Sequence, residues 1–252
     1  MEIKNIKLGL TNCFLIPLNS KYLLVDTGYE WEWKTFQKRL NDVNVRISDI
    51  GYLLLTHHHD DHSGLINNLV ESNPQIKIIA YQKAKDYLKL GENVRYSGQG
   101  YINKRVGFIL GIRDKIDKKW AQHAFPAFDI RETDILINED TNLKDIGMDI
   151  NGKVIVTPGH TDDSISLVLE DGSCLCGDAA ANLPQFAGTK YCVIMINDLE
   201  EYYESWVKIL NENPRIIYPA HGKPFKAECL QKNLYKNKKE NIVLLKYSII
   251  VE

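Results

Sequence analysis

The stretch Thr56-His57-His58-His59-Asp60-Asp61-His62-Ser63-Gly64 decides how this chain is read. It follows Gly51-Tyr52-Leu53-Leu54-Leu55, a run with the length and composition of a buried strand. Four histidines and two aspartates fall within six residues, the densest set of metal-ligand types in the sequence. In an extended chain, residues two apart share a face, so His57 and His59 point to one ion and His58 faces elsewhere. The apolar residues Leu65, Ile66, Leu69 and Val70 predict a helix after the turn, which carries Asp61 and His62 toward a second ion. The stretch reads as half of a two-metal site.

Working outward, residues 2–8, 12–16 and 22–25 read as short strands of a β-meander that closes in Asp26-Thr27-Gly28. Those three residues are a turn signal. Asp26 also has the chemistry to stand behind a metal-bound imidazole, because such rings usually donate their other N–H to a carboxylate. Trp31, Trp33, Phe36 and Leu40 predict a helix over 30–40, and the strand over 50–55 then delivers the histidines. A strand over 76–80 and a helix over 84–90 complete an alternating β/α half.

The pattern changes over residues 92–130, which hold four glycines, six aromatic residues and seven Lys/Arg against four Asp/Glu. This +3 segment reads as a helical or loop insertion, either a solvated surface or a lid over a pocket. His123, beside Phe125 and Phe128, is read first as packing and second as a substrate contact.

In the second half, strands are expected over 133–137, 148–150, 153–156, 164–169 and 173–176. Asn151-Gly152 and Asp171-Gly172 mark two-residue hairpin turns between them. Val156-Thr157-Pro158-Gly159 leads to His160, Cys176-Gly177 leads to Asp178, and Tyr218-Pro219-Ala220 leads to His221. A helix is expected over 199–211 and a basic helix over 226–240. An apolar strand over 242–251 would add to a sheet edge or to a second copy in a homodimer. Asp162 and Asp163 read as turn and capping residues, and Cys174 and Cys176 as buried thiols on one strand face.

Composition sets the outer limits. A chain of 252 residues, 44% apolar and 25% charged, is an ordinary globular sequence, read as one domain over 1–252. The net charge of −2 gives no electrostatic reason to expect nucleic acid. No apolar run approaches the ~20 residues of a membrane-spanning helix, and Met1-Glu2-Ile3-Lys4 opens no signal-peptide pattern. A cytoplasmic protein acting on a small molecule, without a membrane, is expected. Its five cysteines then stay reduced.

The pattern His57-x-His59-x-Asp61-His62, followed by His160, Asp178 and His221, resembles the metallo-β-lactamase fold superfamily. Leu24-Val25-Asp26-Thr27-Gly28, Thr157-Pro158-Gly159-His160-Thr161 and Ala220-His221-Gly222 extend the resemblance over nearly the whole chain. It implies an α+β fold, a four-layer αββα sandwich with a dinuclear centre at one edge. His57, His59 and His160 would hold one ion, Asp61, His62 and His221 the other, with Asp178 bridging them. Asp61 and Asp178 would also take part in catalysis. Nitrogen and oxygen ligands without a cysteine suit Zn(II), Fe or Mn.

In some lactonases of this superfamily a tyrosine near the Tyr191 position contacts substrate, which makes Tyr191 a candidate. The resemblance implies a hydrolase that uses a bridging hydroxide to cleave an ester, thioester or lactone, in the manner of the glyoxalase II branch. A phosphodiesterase or nuclease is the alternative, supported by the basic segment. An iron-dependent redox enzyme is a third, although flavin-linked members carry an acidic residue where this chain has His59.

Overall fold

The computed structural model describes residues 2–94, 96–116 and 124–245. The first sheet begins as a meander of β1 (Lys4–Lys7), β2 (Asn12–Pro17) and β3 (Tyr22–Val25), paired antiparallel in turn. After α1 (Trp33–Asp42), strand β4 (Ile50–Leu54) pairs with β3 in parallel. The chain passes through α2 (Asp60–Ser63) and α3 (Ile66–Ser72) to β5 (Lys77–Tyr81), parallel to β4, and then into α4 (Ala84–Leu90). It continues through a short strand β6 (Gly100–Tyr101) and helix α5 (Lys104–Ile116). Strand β7 (Ile135–Ile137) returns parallel to β5 and completes the order β1-β2-β3-β4-β5-β7. Parallel neighbours need long crossovers, which is why helices alternate with strands in this half.

The second sheet has the order β14-β13-β11-β10-β9-β8. Strands β8 (Thr141–Asn142), β9 (Gly152–Val156), β10 (Ile165–Leu169) and β11 (Ser173–Gly177) pair antiparallel in succession. Strand β12 (Met195–Ile196) leaves this sheet to pair with β6. Helix α6 (Leu199–Asn211) then crosses to β13 (Ile216–Pro219), which runs parallel to β11, and β14 (Phe225–Lys226) closes the edge. The chain ends its described course with α7 (Glu228–Asn233) and β15 (Val243–Leu244), the latter on the other side of β6.

Three apolar clusters mark the contacts between four layers. Phe36 and Leu40 of α1, Leu69 of α3 and Leu88 of α4 pack on Leu15, Leu24, Leu53 and Ile78 of the first sheet. Between the sheets, Phe14, Leu23 and Leu54 meet Val154, Leu167 and Leu175. On the far side, Tyr202, Trp206 and Ile209 of α6 cover Ile155, Cys174 and Ile217. The fold is therefore the expected αββα sandwich. Helix α6 shows how local sequence serves it. The Asp198 carboxylate accepts the Glu200 and Glu201 N–H groups to cap the first turn. Leu199, Tyr202, Tyr203, Trp206 and Ile209 then recur on one face and are buried.

Several local expectations are corrected. Residues 148–150 form no strand; β8 at 141–142 takes that place, and residues 143–151 link it to β9, so Asn151-Gly152 is no two-residue turn. The β10–β11 hairpin turns through Glu170, Asp171 and Gly172, one residue longer than expected. The helix expected over 226–240 shrinks to α7, because β14 pairing claims its first residue and Leu234 is already extended. The strand expected over 242–251 is seen at Val243–Leu244; its end lies outside the described residues, as does His123. No helix among the described residues is long and apolar enough to cross a membrane. All five cysteines are free thiols, four of them buried.

Candidate metal centre

Strands β9, β11 and β13 run in one direction, since β10 is antiparallel to both β9 and β11 and β13 is parallel to β11. Their C-terminal ends present His160, Asp178 and His221 at the edge where β4 presents His57 to His62. The two sheets are tied together at this edge. Ile165 N–H donates to the Thr56 carbonyl at 2.8 Å, and Asn12 N–H donates to the Ala220 carbonyl at 2.8 Å. Glycines let the backbones approach. Gly177 has φ of +50°, and a Cβ there would stand 2.3 Å from Thr56 Oγ1; Gly159 has φ of +118° and abuts the Tyr202 backbone.

The structure brings together all seven residues that the sequence singles out as ligands. His57, His59 and His160 form one triad, Asp61, His62 and His221 a second, and His57, His62 and Asp178 a third that draws on both arms. Within each triad the candidate ligand atoms lie within 4.8 Å of one another. His160 Nε2 stands 3.0 Å from His59 Nδ1 and 3.4 Å from Asp178 Oδ2. His221 Nε2 stands 3.2 Å from Asp61 Oδ2 and 3.3 Å from Asp178 Oδ1. His62 Nε2 is 3.6 Å from Asp61 Oδ1 and 3.7 Å from Asp178 Oδ1.

The backs of the imidazoles are spoken for. His62 Nδ1 donates to Asp26 Oδ2 at 2.9 Å, His160 Nδ1 to the Met195 carbonyl at 2.8 Å, and His221 Nδ1 to the Leu10 carbonyl at 3.0 Å. His57 Nδ1 donates to Thr56 Oγ1 at 3.2 Å, and that hydroxyl donates in turn to Asp26 Oδ2 at 2.8 Å. These bonds fix the ring orientations and aim the Nε2 atoms of His57, His62, His160 and His221 into the centre. Asp26 therefore occupies the position behind a candidate ligand imidazole. It holds a left-handed φ of +59°, a conformation that costs a non-glycine residue about 1 kcal/mol or more and tends to persist at functional sites. Its Oδ1 also accepts the Thr56 N–H at 2.8 Å.

The electrostatics divide the cluster into neutral rings and paired charges. Burial, reinforced by neighbouring imidazoles, pushes His57 and His59 below the usual histidine range. Burial also lowers His160, although Asp178 pulls the other way. These three are neutral and ligand-competent. Burial works against the ionised form of Asp61 and Asp178 too, but the imidazoles around them prevail and both carboxyls are held low. Burial of His62 is likewise outweighed by Asp61 and Asp26, which raise it to about 9, and His221 is raised by Asp178 and Asp61.

His57 Nε2, His59 Nε2, His62 Nε2 and Asp178 Oδ1 are buried without a hydrogen-bond partner. Each such atom costs about 1–3 kcal/mol unless something binds it. Two nitrogens bound at ~2.0–2.1 Å to one tetrahedral ion stand about 3.3 Å apart, a spacing that the observed ligand separations bracket. The residues present fit divalent metal ions.

Other candidates sit differently. Tyr191 packs against Phe225 with tilted rings whose centroids are 4.6 Å apart, and its carbonyl accepts the Ala181 N–H, contacts that lie outside both triads. Asp163 is no simple turn residue. It is buried and takes both the backbone and the ring N–H of His58, at 2.9 and 2.8 Å. Asp162 lies in the expected turn with Asp163, and its carboxylate accepts the hydroxyls of Tyr96 and Tyr87 at 2.6 and 3.2 Å. Thr11, whose hydroxyl donates to Asp61 Oδ2 at 3.1 Å, had no signal in the sequence beyond lying at a hairpin. Cys174 and Cys176 are both buried beneath α6, where burial raises their thiols.

Comparison with known proteins places these features in a wider group. The family model of the metallo-beta-lactamase superfamily matches residues 6–221. A probable metallo-hydrolase, YqjP of Bacillus subtilis, is 27% identical over 205 residues, covering 76% of this chain and 60% of that protein. Thioesterase pkgB of Emericella nidulans is 26% identical over 215 residues, 84% of this chain and 46% of that protein. The chain spans about half of the length of the curated relatives it matches. Among solved structures, the archaeal superfamily protein ST1585 from Sulfolobus tokodaii superposes with a TM-score of 0.62 at 17% identity. That superposition covers 98% of this chain and 90% of the archaeal one, and it shows a shared fold.

Proposed function

This chain belongs to the metallo-beta-lactamase superfamily, and from that premise we propose that it is a hydrolase that uses two divalent ions, zinc first, to cleave an ester, thioester or lactone. The observation that carries the reading is the set of buried, unpartnered atoms. His57 Nε2, His59 Nε2, His62 Nε2 and Asp178 Oδ1 come from both arms of the centre, and their residues belong to the triads found there. Asp178 reaches His160 with one oxygen and His62 and His221 with the other, the arrangement expected of a shared ligand.

Bound divalent ions supply Lewis acidity, which polarises a carbonyl oxygen and makes water a nucleophile near neutral pH. The chain's own residues do the rest. His57 and His62 are shut off from solvent, whereas the His221 side chain is 19% and the Asp61 side chain 13% exposed. Substrate therefore approaches over His221 and Asp61. Asp61 is the carboxylate on that open side and orients an incoming water, with Thr11 holding its Oδ2. Leu10, whose carbonyl fixes His221, is an exposed apolar residue next in the chain to Thr11, and such a neighbour suits an acyl group better than a phosphodiester. The thioesterase among the relatives supports the same substrate class.

The test is a hydrolysis panel of thioesters, lactones, phosphodiesters and cephalosporins with zinc-loaded protein, repeated after chelation. Turnover of an acyl substrate that disappears with the metal is expected. Phosphodiester cleavage with silent acyl substrates would replace this reading, and iron-dependent oxygen uptake without hydrolysis would move the protein to redox chemistry.

A further inference from the structure

His58 faces away from the ligands, yet both of its ring nitrogens are engaged. Nδ1–H donates to Asp163 Oδ1 at 2.8 Å, while Nε2 accepts the Val94 N–H at 3.1 Å. The His58 backbone N–H donates to the other oxygen of Asp163 at 2.9 Å, and both side chains are fully buried. One carboxylate thus fixes the backbone and the ring of the same residue. That residue lies between His57 and His59, and the carboxylate lies three residues beyond His160. The pair bridges the two arms that supply the first triad.

Val94 belongs to the segment that the sequence set apart at 92–130, and its neighbours are committed in the same way. Asn93 exchanges two hydrogen bonds with Asp60, each of 2.9 Å. Tyr96 donates its hydroxyl to Asp162 at 2.6 Å. Further along, β6 pairs with β12, and the Met195 carbonyl of β12 holds His160 Nδ1. The beginning of this segment is built in behind both arms of the centre.

We propose that the His58–Asp163 pair, completed by the Val94 N–H, is a positioning clamp that sets the placement of His57 and His59 against His160, and with it the affinity and geometry of the ion these three hold. The clamp rests on the metal reading of the site and is independent of the substrate. It acts through the backbone at residue 58, since the rings on either side of it can tilt only as far as that peptide allows. It also gives Asn93, Val94, Tyr96 and β6 a role as a brace for the centre. The Thr56 carbonyl's bond from Ile165 is a separate tie between the same arms, so loss of the clamp leaves the sheets joined.

Two variants and two substrate-free readouts test this. Asp163→Asn keeps the shape but sets an amide N–H₂ against one of two donors. His58→Asn places an amide N–H where Nδ1–H stands and leaves nothing for Val94. Each is purified without metal, its melting temperature recorded, and titrated with Co(II) against a competing chelator while the visible spectrum is read. The Co(II) dissociation constant should rise about 10–100-fold in Asp163→Asn, with a shifted spectrum, and by less in His58→Asn. Native Co(II) affinity and spectrum in both variants, whatever their melting temperatures, would overturn the clamp; if Asp163→Asn does not fold, His58→Asn decides by the same two readouts. Because no substrate enters the experiment, a failure of the hydrolase reading leaves the result intact.

Discussion

The space between the two sheets and the edge where their strands end are both closed to solvent, and they are built on opposite rules. Between the sheets, Phe14, Leu23, Leu54, Val154, Leu167 and Leu175 fill the gap with apolar side chains. At the edge, His57, His58, His62, Asp26 and Asp163 are each 1% exposed or less. Burial stabilises the first group, at roughly 25 cal/mol per Å² of apolar surface. The second group gains nothing from burial by itself; each polar atom needs a partner, and four at the centre have none. Folding and metal binding are thus assigned to separate sets of side chains, and mutation should be able to pull them apart.

The largest effect that separates them is expected at Asp178. Asp178→Ala removes the carboxylate that reaches His160 with one oxygen and His62 and His221 with the other, and should lower kcat by on the order of 10³-fold or more, since several kcal/mol of charge stabilisation go with it. Far-UV circular dichroism should still report the native fold, because no core contact is lost. Undiminished turnover would take Asp178 out of the centre. Leu167→Ala makes the converse change. It empties a fully buried position between the sheets and should cost about 2–5 kcal/mol in urea unfolding, with native metal affinity in the folded protein. A Leu167→Ala protein that stays as stable but loses metal would contradict the division.

The same contrast explains what could be read from the sequence. Apolar periodicity announces the layers, so β3, α4 and α6 fall where the spacing puts them. The candidate ligands were legible because four of them follow β4 together while His160, Asp178 and His221 each follow a further strand, and strands running in one direction must end at one edge. What escaped the reading lies in partners distant along the chain. Nothing near Asp163 says that it will meet His58, 105 positions away, and nothing near Leu10 says that its carbonyl will meet His221, 211 positions away. Short polar elements escaped for a related reason. β8 is two residues, Thr141 and Asn142, without a hydrophobic pattern of their own, and it exists because β9 offers an edge to pair with. The composition of the 92–130 segment differs from its surroundings, which points to a lid or a surface. The hydrogen bonds of Asn93, Val94 and Tyr96 to Asp60, His58 and Asp162 left no trace there, since composition records which side chains are present and not which groups they meet.

The smallest effect is expected at Asp140, an ordinary ion pair on the frame beside the centre. Its carboxylate accepts Lys208 Nζ at 2.6 Å and the Val156 N–H at 2.9 Å, which pins α6 to the end of β9, four residues before His160. Partial burial works against its ionised form, but Lys208 and the Val156 N–H outweigh it and hold the carboxyl below its ordinary value. A carboxyl lowered on folding contributes stability above its unfolded pKa of about 3.9 and loses it as the pH falls through the folded value. Asp140→Asn should therefore cost no more than about 1 kcal/mol at pH 7, because the group is partly solvated. The difference from the native protein should shrink steadily below pH ~4 in thermal unfolding at a series of pH values. Metal affinity should not change, since Asp140 touches the strand that carries His160 but neither that ring nor its partner Met195. A tenfold loss of affinity in Asp140→Asn would mean that the position of β9 is set from α6 and the frame as well as from the edge, and the separation between the two regions would fail at His160 first.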